Sequence, residues 1–142
     1  MQPALLDSAI YITAMRRGDG SVLSLRRYSV DAPLWLSAVV LEELYAGAYH
    51  RVRQVVERLE RDFDRVHRIL VPNLSDWARS GRILARVASK YNYENIGLGR
   101  LTNDALIATS ASRMGVRVVT ANEQDFSRLA EFHTFQWETT TL

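Results

Sequence analysis

The sequence predicts an α/β fold: a central, mostly parallel sheet of about five strands with helices on both faces. Two observations predict it. Five short apolar runs, at residues 4–6, 34–37, 69–71, 116–120 and 132–136, punctuate the chain. Between them lie longer stretches with a helical period, and parallel neighbours need crossover connections of that length.

The first run, residues 4–6, ends at Asp7, where a helical pattern begins. The second, 34–37, ends at Ser37, a residue suited to start the helix that carries Glu42 and Glu43. From Arg51 onward Val52, Val56, Leu59, Phe63 and Val66 form one apolar stripe, while Arg53, Glu57, Arg58, Glu60, Arg61 and Asp64 face outward. Pro72 and Asn73 break the pattern after the third run. A further helix is expected from Ser75, with Trp77, Leu84, Val87 and Ala88 on its buried side, until the polar stretch 92–99 interrupts it. Thr102 can cap the next, in which Ala105, Ala108 and Ala111 make a narrow face for close packing. The fourth run is the clearest strand, because Val116, Val118 and Val119 are β-branched and follow Gly115.

Composition narrows the class of protein. With 142 residues, 47% hydrophobic, and no repeat or linker, the expectation is one compact domain spanning 1–142. No run approaches the roughly 20 apolar residues of a membrane span, and no basic stretch precedes an apolar leader, so a soluble, cytoplasmic protein with no membrane partner is expected. The absence of cysteine excludes disulfides and thiolate zinc sites. His50, His67 and His133 are too scattered to suggest a ligand set. The formal charge is +2, with Lys90 the sole lysine among 18 basic residues. Arginine forks suit phosphate oxygens, although codon bias gives the same excess. Arg16, Arg17, Arg26 and Arg27 form either a positive rim near the first helix or an ordinary solvated face.

In parallel α/β sheets, ligands collect beyond the carboxyl ends of the strands, where strand order reverses. Asp7, Glu42 with Glu43, Asp104, and Asn122 with Asp125 all fall at that end. If the first and fourth strands are neighbours, Asp7 converges with Asn122 or Asp125, and Glu43 and Asp104 approach from flanking helices. Each has an ordinary explanation: Asp7 as a helix cap, Glu42 and Glu43 as solvated acids favouring a helix dipole, Asp104 as an acid in a first turn, Asn122 and Asp125 as a capping box. Their common position has another: crowded carboxylates repel unless a divalent cation offsets them, and hard Mg²⁺ or Mn²⁺ suits oxygen ligands.

The stretches "LLDSAIYI", "SAVVLEELYAGA" with its Glu43-Leu44-x-x-Gly47 spacing, and "LTNDALIATSASRMGVRVVTANEQDF" resemble the PIN-domain superfamily, and within it the VapC-type toxins. The resemblance spans nearly the whole chain. Its most specific part is residues 103–108 followed by Thr120-x-Asn122-x-x-Asp125-Phe126; the middle, 51–99, carries no motif. It implies a three-layer PIN-like fold and a Mg²⁺-dependent endoribonuclease, usually a homodimer, silenced by a cognate antitoxin. Carried over by motif, Asp7 and Asp104 are the expected metal ligands, with Glu43 orienting water or holding a second ion. Many members have Asp where this chain has Asn122, so either Asn122 acts as a neutral ligand or Asp125 supplies the charge. Thr120 and Ser8 are expected to support these groups by hydrogen bonds. For the dimer, Ile12, Leu23 and Leu25 are candidates for apolar interface or for core.

Three other readings compete. A phosphotransfer domain with a nucleophilic aspartate wants a second acid two positions on, where Ala9 stands, and a receiver-type domain wants a lysine late in the chain following a strand, which Lys90 does not. A catalytically weak PIN module for nucleic acid or protein binding, and a housekeeping RNA-processing nuclease, keep the same scaffold. Magnesium titration separates the binder from the enzyme.

Overall fold

The computed structural model describes residues 2–18, 33–92 and 98–142. Arg26, Arg27, Leu23 and Leu25 lie outside the described residues, as do positions 93–97 of the polar stretch. In chain order the elements are β1 (Ala4–Leu6), α1 (Ser8–Arg17), β2 (Leu34–Ser37), α2 (Ala38–Ala46), α3 (Arg51–Arg65), β3 (Ile69–Leu70), α4 (Leu74–Tyr91), α5 (Leu98–Met114), β4 (Arg117–Thr120), α6 (Glu123–Ala130) and β5 (Trp137–Thr139). The strands form one sheet of order β3-β2-β1-β4-β5, and every described pairing is parallel. This is the three-layer α/β arrangement that the alternating pattern predicts.

β1 is the middle strand. All three of its residues are buried, and Leu5 sits opposite Trp35 of β2 on one side and Val118 of β4 on the other. A strand covered on both faces and paired at both edges must be apolar throughout, which "ALL" is. The chain builds outward from β1 through β2 to β3, then returns to the other flank with β4 and β5. Strand order therefore reverses between β1 and β4. The Asp7 amide bonds to the Val119 carbonyl at 2.9 Å and ties the two strand ends together.

Several elements differ from the sequence expectation. β5 lies at Trp137–Thr139, past the expected 132–136. The apolar spacing there serves packing instead: Phe135 is buried, and its ring makes a triangle with those of Phe126 and Trp137, with centroids 6.1 Å from each. β3 stops before Val71, which is exposed, and β4 begins after Val116. α4 starts at Leu74, because Asn73 and Asp76 close a reciprocal capping box with two 2.9 Å bonds. Its buried face is Asp76, Ser80, Ile83 and Val87, so Trp77, at 55% exposure, points outward. The cause is Asp76 itself, 1% exposed and drawn inward by the Arg113 guanidinium at 2.9 Å. On α3 only Val56 is fully buried; Leu59 and Phe63 pack at the margin, and Val52 is exposed, as is Val66 just past the helix end. α5 begins at Leu98, so Thr102 lies inside it; Ala105, Ala108 and Ala111 are buried as their spacing requires. Ile12 packs against the core.

Candidate acidic site at the carboxyl end of the sheet

Asp7 follows β1 directly and is buried. Its side chain does two things at once. Oδ1 accepts the Ser8 amide at 2.8 Å and caps α1, while Oδ2 accepts the Thr120 hydroxyl at 2.8 Å. Each carboxylate oxygen has two lone pairs, so both keep capacity for a further partner. The cap and the site are therefore compatible uses of one residue.

Glu43 arrives from α2. Ser37 ends β2 and caps this helix by accepting the Val39 amide at 3.2 Å, which aims the helix across the strand ends. One step along a helix turns a side chain by about 100°. That step separates exposed Glu42 from Glu43, which lines the cavity. Asp104 arrives from α5 and is buried. Together Asp7, Ser8, Ala9, Glu43, Asp104, Ala121 and Asn122 line an open cavity of about 380 Å³. It lies at the switch point between β1 and β4.

Asn122 and Asp125 act as a pair. Asn122 caps α6, accepting the Asp125 amide at 3.3 Å, and its own amide donates to Asp125 Oδ2 at 2.8 Å. Asn122 faces the cavity and Asp125 stands behind it, outside the lining. The Asn122 backbone N–H in turn donates to Thr120 Oγ1 at 3.0 Å, so one hydroxyl links the two sides of the switch point.

The electrostatics are those of a crowded acidic pocket. Burial raises the Asp7 pKa, against the opposing hydrogen bonds from Thr120 and Ser8. Glu43 is pushed up to about 7, first by burial and then by the charges of Asp7 and Glu42, with Asn103 and Ser8 pulling back. Its Oε1 is buried without a hydrogen-bond partner. A buried oxygen left in this state costs about 1–3 kcal/mol, which a cationic or protic ligand would recover.

These features suit a hard divalent cation. Among the described residues no three histidine or acidic groups are close enough to form a complete ligand cluster. An ion here would rest on one or two carboxylates plus water, which is how Mg²⁺ is usually held. The histidines play no part: none lines the cavity, and His133 instead stacks on Phe135.

Asn103 adjoins Asp104 in sequence but carries no signal of its own there; its hydrogen bond to Glu43 depends on how α2 meets α5. Ala9 and Ala121 also line the cavity, and small residues carry no chemical signal by which to find them.

A parallel α/β domain with an acidic cavity at its switch point defines the class. The profile of the PIN domain matches residues 4–132, and the chain belongs to that family. A search of curated proteins finds no match. Among solved structures, the chain is similar to DNA-bound VapBC from Salmonella typhimurium (22% identity, TM-score 0.67, 98% of each chain covered). It is also similar to VapBC2 from Rickettsia felis bound to a promoter DNA fragment (21%, 0.64, 99% of this chain and 100% of that one). A third likeness is to VapBC-5 from Mycobacterium tuberculosis, a member of the VapBC family of toxin-antitoxin systems (19%, 0.54, 100% of each). At these identities the likeness establishes the fold.

Proposed function

We propose that the chain is a Mg²⁺-dependent endoribonuclease, the toxin of a toxin-antitoxin pair. The observation that carries this reading is the meeting of Asp7, Glu43 and Asp104 in one cavity, with a buried Glu43 oxygen left unpartnered. Membership of the PIN family and the VapBC names of the similar structures support it.

Asp7 and Asp104 would hold the cation, with Mn²⁺ as a substitute for Mg²⁺. When bound, it would offset charge building on the phosphate and acidify water. The protein's own groups do the rest. Glu43 Oε1 accepts a hydrogen bond from the attacking water and orients it for in-line displacement, leaving a 5′-phosphate and a 3′-hydroxyl. Thr120 fixes the Asp7 carboxylate by its hydroxyl bond, and the Ser8 amide fixes the other oxygen. Asn122 presents its amide edge to the cavity, held in place by Asp125.

The partners that follow are RNA as substrate, an antitoxin protein, and a second copy of the chain in a homodimer. The reading places the protein in the cytoplasm, where these partners are; among the described residues no helix is long and apolar enough to cross a membrane. The test is cleavage of RNA by the purified chain across a Mg²⁺ titration, with EDTA as control. Metal-dependent cleavage that Asp7→Asn and Asp104→Asn abolish supports the proposal. Parental rates in either variant, or RNA held but never cut at any metal concentration, would overturn it.

A further inference from the structure

The outer face of α4 carries charge that the acidic site does not use. Arg79, Arg82, Arg86 and Lys90 are all exposed. At spacings of three, four and four residues they fall within an arc of about 80° and run about 16 Å along the helix. The helix has one acid, Asp76, which is buried and already paired with Arg113. The preceding helix in the chain, α3, shows what an ordinary solvated face looks like: its five arginines are interleaved with Glu57, Glu60, Asp62 and Asp64. On α4 the helix supplies no acid to offset Arg79, Arg82 and Arg86.

Among the described residues no acid lies within ion-pair distance of Arg79, Arg82 or Arg86, and Lys90 pairs with exposed Glu131 at 3.2 Å. Beside the stripe stand that one acid, Glu131, which also accepts the Tyr91 hydroxyl at 2.6 Å, and two aromatic rings. The Arg86 guanidinium lies 5.8 Å from the centre of the Phe132 ring, and Lys90 lies 5.9 Å from it and 5.1 Å from that of Tyr91. Arg128 of α6 stacks over the same Tyr91 at 4.5 Å. The stripe is thus joined to α6, the helix that Asn122 caps at the rim of the cavity. Arg128 stands six residues, about 9 Å along the axis, from that cap.

We propose that this face of α4, continued by Arg128, binds the phosphate backbone of the RNA at nucleotides away from the cleaved bond. A row of arginines at helical spacing suits successive phosphates, and the Tyr91 and Phe132 rings, packed against the core, hold Arg86, Lys90 and Arg128 in place beneath them. A row of planar guanidinium forks matches phosphate oxygens in pairs, which the scattered carboxylates of an acidic peptide do not require. The choice of RNA rests on the nuclease reading above, and the test separates the two.

A fluorescent 20-nucleotide single-stranded RNA is titrated with the intact chain in EDTA, where no cutting can intervene, across a series of salt concentrations. The probe is compared on the parent, on R79Q/R82Q/R86Q, and on the charge-matched control R53Q/R58Q/R61Q of α3. The expected result is at least about a tenfold loss of affinity in the α4 triple, with a log–log salt slope reduced by about 2, since three phosphate contacts at about 0.7 each are removed. The α3 triple should bind as the parent does. Equal binding by parent and α4 triple, or equal losses in both triples, overturns the proposal. So does an α4 triple that retains RNA but loses poly-glutamate. With Mg²⁺, the α4 triple should cut a trinucleotide at the parental rate and the long RNA more slowly. If no variant or parent cuts RNA yet the α4 triple alone loses binding, the surface stands and the nuclease reading falls. If the parent cuts RNA normally and the α4 triple binds it unaltered, the nuclease reading stands and the surface falls.

Discussion

Thr120 and Asp7, 113 positions apart in sequence, are joined by a 2.8 Å hydrogen bond between hydroxyl and carboxylate at the meeting of β4 and β1. Thr120 is completely buried and also receives the Asn122 amide, so a single oxygen sets the orientation of groups on both strands.

Thr120→Val keeps the shape and removes that oxygen. It leaves an Asp7 lone pair and the Asn122 amide without their partner, a cost of about 1–3 kcal/mol in stability. The Asp7 pKa should rise further, and the Mg²⁺ concentration for half-maximal cleavage should rise about 10- to 100-fold. Chemical denaturation and a metal titration measure the two effects. An unchanged metal requirement would show that Thr120 does not orient the carboxylate.

The adjacent acids of α2 should respond differently. Glu43→Gln is expected to lower RNA cleavage by about 10- to 100-fold, the scale on which groups around a metal act. Glu42→Gln, altering an exposed side chain, should leave the rate within about twofold. A cleavage assay on both variants decides; comparable losses would mean that the cavity geometry does not select between them.

The acidic pocket makes stability depend on pH. Asp7 and Glu43 have folded-state pKa values above their ordinary ones, Glu43 reaching about 7. The fold therefore favours their neutral forms. The Glu43 contribution is complete at pH values below the ordinary carboxylate range and is lost as pH rises through about 7, and Asp7 acts in the same direction. In EDTA, the melting temperature of the parent should fall between pH 5 and 8 relative to that of Glu43→Gln. Mg²⁺ should stabilise the parent more at pH 8 than at pH 5. Parallel melting curves for parent and variant across this range would contradict the electrostatic account.

Asp76 offers a prediction away from the cavity. It is 1% exposed, accepts from Arg113 at 2.9 Å, and completes the capping box with Asn73. Asp76→Ala strands the guanidinium and opens the cap, so a loss of about 3 kcal/mol is expected; partial exposure of Arg113 keeps it at the lower end for a broken buried pair. Urea denaturation measures it, and Arg113→Met in the same background should then add little.

What is legible in the sequence depends on locality. β1, β2 and β4 are legible because central parallel strands are largely apolar: "ALL" is entirely so, "LWLS" all but its last residue, and "RVVT" sets two buried β-branched valines between its polar ends. Asp7, Glu43, Asp104 and Asn122 are legible as a set because each follows a strand or opens onto a strand end, and topology alone gathers such positions. Less visible is anything decided by a distant partner. The helical pattern puts Trp77 inside, yet the Asp76–Arg113 pair rotates α4 and turns it out. Residues 132–136 have a strand's apolarity, but Phe135 uses it to fill the space beside Phe126 and Trp137. The division between Asn122 at the cavity and Asp125 behind it follows from a cap geometry that spacing suggests but does not orient.

The central position of β1 also grades the cavity wall by stiffness. Asp7 and Asn122 are anchored to two hydrogen-bonded inner strands, and moving them apart would tear the middle of the sheet, the last region of a protein to open. Glu43 and Asp104 ride on helices, which can slide by fractions of an ångström without breaking a ladder. Tolerance for ions of different radius, or for an inhibitory segment wedged into the mouth, must therefore come from the helical half, while the strand half serves as a fixed jaw.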